Sequence, residues 1–170
     1  MKKDNWNNNL QNVRPITLLD ILRKIFTKII SQRINVIVST KPILHPNNKA
    51  RIPGSSTIIP DKLVQHVIEN YQQNNYLDNN LNKELWITQL NISKAYDHMN
   101  ITRLVLTLTR LKILSIFQDM IIALFTGRVN AVIITDHISE YYPILQGIDQ
   151  GEVISPLLWL IYYDPLYELL

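Results

Sequence analysis

The sequence predicts an α+β fold in which a small antiparallel sheet packs on helices. Two amphipathic helical stretches come first, and a strand-like segment, two more helical stretches and a hairpin pattern follow. With 170 residues, 46% of them hydrophobic, the chain is long enough to bury a real core in one domain. It contains no cysteine, which excludes a disulfide framework and thiolate metal sites.

The first helix is expected to begin at Thr17, whose side chain can cap it, and to end near Val38. Arg14 precedes Pro15 and is therefore restricted to extended backbone. Apolar side chains at helical spacing predict the buried face, and basic side chains cover the remaining surface. The apolar set is Leu18, Leu22, Ile25, Ile29 and Ile30, and the basic set is Arg23, Lys24, Lys28 and Arg33. That basic surface is either an ordinary solvated face or a surface that lies over a phosphate backbone.

The middle of the chain is predicted to be a loop, a second helix and a strand. Prolines and a glycine between Thr40 and Pro60 exclude a continuous helix or a central strand. The second helix starts near Asp61, and the polar run from Gln72 to Asn80 ends it. Its apolar face consists of Leu63, Val67, Ile68 and Tyr71. Residues Glu84 to Leu90 then alternate as a strand whose two faces are both expected to be covered.

Two further helices are expected to pack as a pair. Asn100 caps a helix that runs through Leu111, and Ser115 caps another that stops at Gly127. The apolar face of the first of these consists of Ile101, Leu104, Val105 and Leu108.

A hairpin and a last helix complete the predicted order of elements. Its strands are Val129 to Thr135 and Tyr141 to Ile144, joined across Asp136 to Ser139. The loop from Gln146 to Ser155 leads into a helix that begins at about Pro156.

Several classes of function are disfavoured. The net charge of +3 and the pI of 9.1 permit a polyanionic partner without requiring one. The four histidines lack metal-ligand spacing, and the four glycines form no nucleotide-binding fingerprint. The N-terminus is not a secretory signal, and the longest apolar uncharged stretch, Val153 to Tyr163, is shorter than the roughly 18 residues that span a bilayer. We expect an intracellular protein of the cytoplasm or nucleus with no membrane partner.

Two segments carry the chemical signal, namely Leu90 to Asp97 and Gly147 to Leu158. A carboxylate at the end of a strand, beside a turn, is where phosphoryl-transfer enzymes hold two Mg²⁺ ions. Taken alone, Lys94 to Asp97 is equally compatible with a turn or helix start that Asp97 caps. A glycine loop before a helix lets the backbone approach a nucleotide closely, although an ordinary strand-to-helix turn has the same composition.

The joint occurrence and order of several segments is more specific than any one of them. Before the two segments above, Asn12 to Leu18 and Pro53 to Thr57 each precede a helix, and Leu160 to Leu166 follows. This series resembles the reverse transcriptase domain of non-long-terminal-repeat, LINE-type retroelements, from about Asn12 to Leu166. The resemblance implies RNA-templated DNA synthesis, with an RNA template and a DNA primer as partners and Mg²⁺ as cofactor.

The resemblance also implies a partial right-hand polymerase fold, with fingers and an incomplete palm. Residues 1–11 are expected to form a disordered tail, residues 12–80 a fingers-like helical region, and residues 81–170 a partial palm. The paired Asp-Asp motif that follows these segments in the family, and the thumb, are absent before Leu170, so we expect a truncated fragment.

Individual roles follow from the resemblance residue by residue. Asn91 occupies the metal-ligand Asp position of the first palm motif, with Asp97 in the turn beyond the strand. Tyr96 matches the aromatic residue that screens the sugar of the incoming nucleotide. Gln150 and Gly151 match the loop that contacts template and nucleotide. A fingers arginine corresponds to Arg14.

Asn91 is the departure with the largest chemical consequence. An amide oxygen brings no negative charge, whereas Mg²⁺ sites depend on carboxylates and substrate phosphates. Asp149 and Glu152 depart more mildly, because many relatives have Pro and a small residue at these positions. We therefore predict an inactive chain with no tightly bound Mg²⁺. The alternatives are a nucleic-acid-binding remnant that uses Arg14, Lys24, Lys28 and the Gln150 loop, and a partner-binding or unstable fragment.

Overall fold

A computed structural model describes residues 16–48, 56, 58–77, 84–134 and 136–169. Within these residues the helices are α1 (Ile21–Thr40), α2 (Ile58–Leu77), α3 (Ile101–Arg110), α4 (Ser115–Phe125) and α5 (Ser155–Tyr163), and a 3-10 helix follows at Asp164–Glu168. The strands are β1 (Val129–Asn130), β2 (Ile133–Ile134), β3 (His137–Ile138) and β4 (Tyr142–Pro143). The predicted α+β class with small antiparallel sheets is confirmed, and it is consistent with a partial polymerase fold.

Some predictions concern residues outside this described part. They are the N-terminal tail, Arg14, most of the segment Pro53 to Thr57, and the end of the polar run after α2. The proposed division into fingers and palm stays a prediction.

Helix α1 begins later than predicted and buries a different face. Its N-cap is Asp20, whose Oδ1 accepts a hydrogen bond from the backbone N–H of Leu22 at 2.7 Å, so the prediction of Thr17 as the cap was wrong. Most of the predicted face is also wrong, because Leu18 and Leu22 are both 77% exposed, whereas Ile30 is buried as expected. The buried side chains of α1 are Thr27, Ile30, Ser31, Ile34 and Val38. Ile30, Ile34 and Val38 join the hydrophobic core, and Thr27 donates to Glu152 on the Gln146 to Ser155 loop.

Helix α2 starts at Ile58 rather than near Asp61, since a proline is tolerated in the first turn of a helix. It ends at Leu77, within the run from Gln72 to Asn80 that was predicted to end it. Its predicted apolar face is largely solvated, with Leu63 64% exposed.

The predicted strand from Glu84 to Leu90 is not formed, and its faces are not covered. Trp86 is 82% exposed and Leu90 is 72% exposed. In the part of the chain that the structure describes, strand pairing is limited to β1 with β4 and β2 with β3. A segment with strand-like alternation needs a neighbouring strand to form a ladder, and none of the described strands pairs with this one.

The core is built where α3 packs against both α4 and α5, which confirms the predicted pairing of α3 and α4. Asn100 caps α3 as predicted, because its Oδ1 accepts a hydrogen bond from the backbone N–H of Arg103 at 3.0 Å. Ser115 is the first residue of α4 and not its cap. The fully buried apolar side chains include Met99, Leu104, Leu108, Ile121, Ile154, Leu158 and Ile161.

The hairpin lies where it was predicted, but its turn is tighter. Val129 pairs with Pro143 and Asn130 with Tyr142 in the first ladder. In the second ladder Ile133 pairs with Ile138, and Ile134 with His137. His137 and Ile138 therefore belong to a strand and not to the turn.

A buried carboxylate ties the segment after α1 to the end of α5. Asp164 is fully buried, and its Oδ1 accepts hydrogen bonds from the backbone N–H of His45 at 2.8 Å and from Nδ2 of Asn48 at 2.9 Å. Its other oxygen pairs with Arg110, which also reaches Glu168 at 2.8 Å. We call these five residues the Asp164 cluster.

Among the described helices, none combines the length and the apolar character that would be needed to cross a membrane.

Candidate functional site

The two segments that carry the sequence signal meet in space. The turn at residues 93–98 accepts a hydrogen bond at the Tyr96 carbonyl from the backbone N–H of Ile148, at 2.9 Å. Side chains meet as well, because Nε2 of Gln150 lies 3.5 Å from Oδ1 of Asp97. The structure thus brings Tyr96, Asp97 and Gln150 together, although they are far apart in sequence.

Gly147 allows this close approach. A Cβ atom at this position would lie 2.7 Å from the carbonyl oxygen of Asp97 and 2.8 Å from that of Tyr96. Its φ of +82° is also a backbone conformation that side-chain-bearing residues rarely adopt. The glycine is needed because backbone packs directly on backbone, where no side-chain rotation can relieve a clash.

A cleft of about 340 Å³ lies between this contact and the hairpin. Asp97, Gln150 and Arg128 all line it. The remaining lining residues are Thr17, Asn130, Tyr142, Pro143, Ile144, Leu145, Gln146, Ile148 and Asp149. It therefore offers a carboxylate, amides and backbone polar groups to a ligand, with apolar walls from the hairpin.

Gly151 lies at the edge of this site rather than at its centre. It is exposed, and a Cβ atom there would lie 3.1 Å from the carbonyl oxygen of Thr17. The neighbouring Gln150 carbonyl accepts a hydrogen bond from the backbone N–H of Thr17 at 3.0 Å. The start of the chain's described part thus packs on the loop backbone, which orients the loop next to the cleft.

Two carboxylates of the Gln146 to Ser155 loop pair with two arginines in a largely buried ionic group. Oδ1 of Asp149 lies 2.6 Å from Nη1 of Arg128, and its Oδ2 lies 3.1 Å from Nη2 of Arg23. Arg23 also donates from Nε to Oε2 of Glu152 at 2.7 Å. The side chains of Asp149, Glu152 and Arg128 are at most 7% exposed. We call these four residues the Asp149 cluster.

Neutral groups and a ring complete the surroundings of the Asp149 cluster. Oγ1 of Thr27 donates to Oε1 of Glu152 at 2.8 Å, and Oγ of Ser155 donates to the Asp149 carbonyl at 2.8 Å. The Phe125 ring lies beneath both guanidinium groups, 5.3 Å from that of Arg128 and 5.9 Å from that of Arg23. Buried charges of this kind are stable only when they are paired and hydrogen-bonded, as they are here.

Sequence reasoning missed this cluster. It assigned Arg23 to a solvated face, noted Asp149 and Glu152 only as departures from a pattern, and did not single out Arg128. The assignment of Arg23 was wrong, because its side chain is only 25% exposed and holds two carboxylates. The signal in the sequence was a pair of acidic residues, one on either side of Gln150 and Gly151. Their arginine partners lie on α1 and after α4, and the spacing of residues along the chain does not reveal such distant contacts.

The aromatic residue at the predicted sugar-screening position lies in a group of rings. Tyr96 meets Trp159 edge to face, with ring centroids 5.8 Å apart, and Trp159 lies 4.0 Å from Tyr163. Partial burial, and secondly the neighbouring Tyr162, raise the pKa of Tyr163 above its usual value. The Tyr96 ring is thus oriented by the side chains of α5.

Three of the remaining predicted site residues lie on the surface. Asn91 is exposed, and so are Lys24 and Lys28 on α1. Lys28 also lines a second groove of about 290 Å³ between α1 and the start of α5. Arg14 lies outside the described residues.

The side chains of the described residues do not fit a two-Mg²⁺ site. Asp97 and Asp149 are the carboxylates that line the cleft, and both oxygens of Asp149 are engaged by arginines. Across residues 16–48, 56, 58–77, 84–134 and 136–169, no group of three or more His, Cys, Asp or Glu side chains could hold a metal ion. Asn91, at the predicted metal-ligand position, supplies a neutral amide.

A model of the family described as reverse transcriptase (RNA-dependent DNA polymerase) matches residues 1–170. The match covers the full sequence, so the chain belongs to the reverse transcriptase family. The family in general uses Mg²⁺ and binds an RNA template and a DNA primer.

Proposed function

We propose that this chain is a reverse transcriptase domain of a LINE-type retroelement that binds primer and template without extending the primer. The observation that carries the proposal is a contact between the two motif segments, together with a neutral residue at the predicted metal-ligand position. Gln150 reaches Asp97 beside the cleft at 3.5 Å, whereas the expected metal-ligand position is occupied by Asn91. We place its action in the cytoplasm or nucleus, where RNA and DNA are found.

The loss of charge supports the absence of catalysis. Mg²⁺ keeps much of its water and binds through one or two carboxylates together with substrate phosphates. Even changes to side chains behind a metal ligand typically cost about 10- to 100-fold in affinity or activity. Replacing a ligand carboxylate with an amide removes a full negative charge, so we expect a cost of at least that size.

The surface chemistry supports retained binding. The cleft presents the amide of Gln150 and backbone polar groups of the Gln146 to Gln150 segment, which can contact bases and sugars. Lys24 and Lys28 are exposed on α1, whose N-terminal end lies beside the loop through the contact of Thr17 with Gln150. Exposed lysines on this helix attract the phosphates of a bound strand.

Primer extension tests the catalytic half of the proposal. We expect the unmodified chain to add no nucleotides to a DNA primer on an RNA template with Mg²⁺ or Mn²⁺. An active family member, diluted about 100-fold and assayed in parallel, sets the detection limit. Extension by the unmodified chain would contradict our interpretation of Asn91.

Salt-dependent binding tests the other half. The affinity for a primer–template duplex, measured by fluorescence anisotropy, should fall with salt, and the double variant Lys24→Gln, Lys28→Gln should reduce the slope of log K against log salt by about 2. Lys41→Gln is the matched control, because Lys41 lies just beyond the opposite end of α1. No binding at low salt would remove the binding function, and the absence of a cooperative unfolding transition would favour an unstable fragment.

A further inference from the structure

We propose that the Asp149 cluster positions Gln150, so that Asp149, Glu152, Arg23 and Arg128 are positioning residues for the ligand contact in the cleft. The inference rests on the proposed function for the ligand, which is a primer–template duplex. It assigns a role to four side chains that are joined by ion pairs, two of which, Asp149 and Arg128, also line the cleft beside Gln150.

The geometry of the loop is the first argument. Asp149 directly precedes Gln150, and each of its carboxylate oxygens is engaged by an arginine from a different part of the fold. Arg23 belongs to α1, and Arg128 lies between α4 and β1. Arg128 also donates from Nη2 to the Gly147 carbonyl at 2.6 Å. The loop is therefore held on both sides of Ile148, immediately before the residue that faces the cleft.

Gln150 itself is only weakly held by its own contacts. Its carbonyl accepts one backbone hydrogen bond from Thr17, and its side-chain amide reaches Asp97 only at the long distance of 3.5 Å. A contact of that length does not fix a flexible side chain. The orientation of Gln150 therefore depends on the backbone at Asp149, which the arginines hold.

Charge is balanced within the Asp149 cluster. The cluster contains two positive and two negative side chains, and the side chain of Arg128 is only 7% exposed. If Asp149 becomes neutral, Arg128 loses its close carboxylate and must find another partner or admit water. The carbonyls that it holds, including that of Gly147, would shift with it, and this moves the loop relative to Asp97.

The experiment compares Asp149→Asn with Asp164→Asn by following the Gln150 side-chain amide in ¹⁵N NMR spectra of the full chain, assigned through Gln150→Glu. Asp164 is a matched control, because it is an equally buried, arginine-paired carboxylate that does not line the cleft. We expect Asp149→Asn to shift or broaden the Gln150 amide signals, and Asp164→Asn to leave them in place.

Binding of a primer–template duplex is the second measurement. Loss of supporting side chains behind a binding group typically weakens a metal site about 10-fold or more, and we expect about a 10-fold loss of affinity for Asp149→Asn. Asp164→Asn should retain the affinity of the unmodified chain. Equal effects of the two variants on the amide signals and on affinity would overturn the proposal, because they would show a general loss of stability.

The proposal can still be tested if the chain does not bind nucleic acid or if Asp149→Asn does not fold. If the unmodified chain does not bind nucleic acid, the proposed function fails, but the amide signals still test the positioning. If Asp149→Asn does not fold, Arg23→Lys replaces it, because this variant keeps the charge and loses the guanidinium geometry that reaches both carboxylates. Unchanged Gln150 signals in Arg23→Lys would then overturn the proposal.

Discussion

Replacing Gly147 with alanine is expected to lower the free energy of unfolding by about 3 kcal/mol. Two costs combine in this variant. The added Cβ would lie 2.7 Å from the Asp97 carbonyl oxygen, so the two backbones must separate, and the φ of +82° is unfavourable for alanine. Because the contact joins the turn that bears Asp97 to the loop that bears Gln150, the variant should also separate those two side chains.

Gly127→Ala is the matched control for this prediction. Gly127 also has a positive φ, of +64°, but nothing lies within 4 Å of a Cβ built there. Gly127→Ala should therefore lower the free energy of unfolding only by the cost of the left-handed backbone conformation, about 1 kcal/mol. Urea unfolding followed by circular dichroism measures both variants, and equal losses would show that Gly147 is not required for close packing.

Replacing Arg128 with alanine is expected to cost about 4 kcal/mol of unfolding free energy, within the range observed when a buried ion pair loses one partner. The Arg128 side chain is 7% exposed and bridges the Phe125 carbonyl, the Gly147 carbonyl and Asp149. Its removal leaves these acceptors without their donor and leaves Asp149 with only one arginine. Denaturant unfolding again provides the measurement.

Two variants bracket the Arg128 result. Arg128→Lys keeps the charge but cannot reach all three acceptors. Its loss of unfolding free energy should therefore be measurable but smaller than that of Arg128→Ala. Arg110→Ala removes an arginine that is 34% exposed in the Asp164 cluster and should cost less than Arg128→Ala. If Arg110→Ala lowered the free energy of unfolding more than Arg128→Ala, burial would not explain how much each arginine contributes to stability.

Local patterns predicted the elements whose formation depends on nearby residues. Asn100 caps α3 as expected, since its partner is the N–H of Arg103 three residues later. The pairing of α3 with α4 followed from the short connection between two amphipathic stretches, and the hairpin followed from alternating strand residues.

Predictions that depended on distant neighbours were less successful. The predicted apolar face that includes Leu18 and Leu22 is exposed, and α1 instead buries the face on which Thr27 donates to the buried carboxylate of Glu152. Periodicity identifies an amphipathic stripe but not the element that packs on it. The segment from Glu84 to Leu90 has the alternation of a strand, yet no described strand pairs with it.

The order of the motifs was sufficient by itself to indicate the reverse transcriptase family, and the single letter at Asn91 was sufficient to question the metal site. Both are properties of residue identity, and they need no coordinates. Only the tertiary structure decided that Gly147 lets the two segments touch, and that Arg23 and Arg128 hold Asp149 behind Gln150. These contacts join residues that are far apart in the chain. Burial strengthens the interactions between their charges, and only the folded chain buries them.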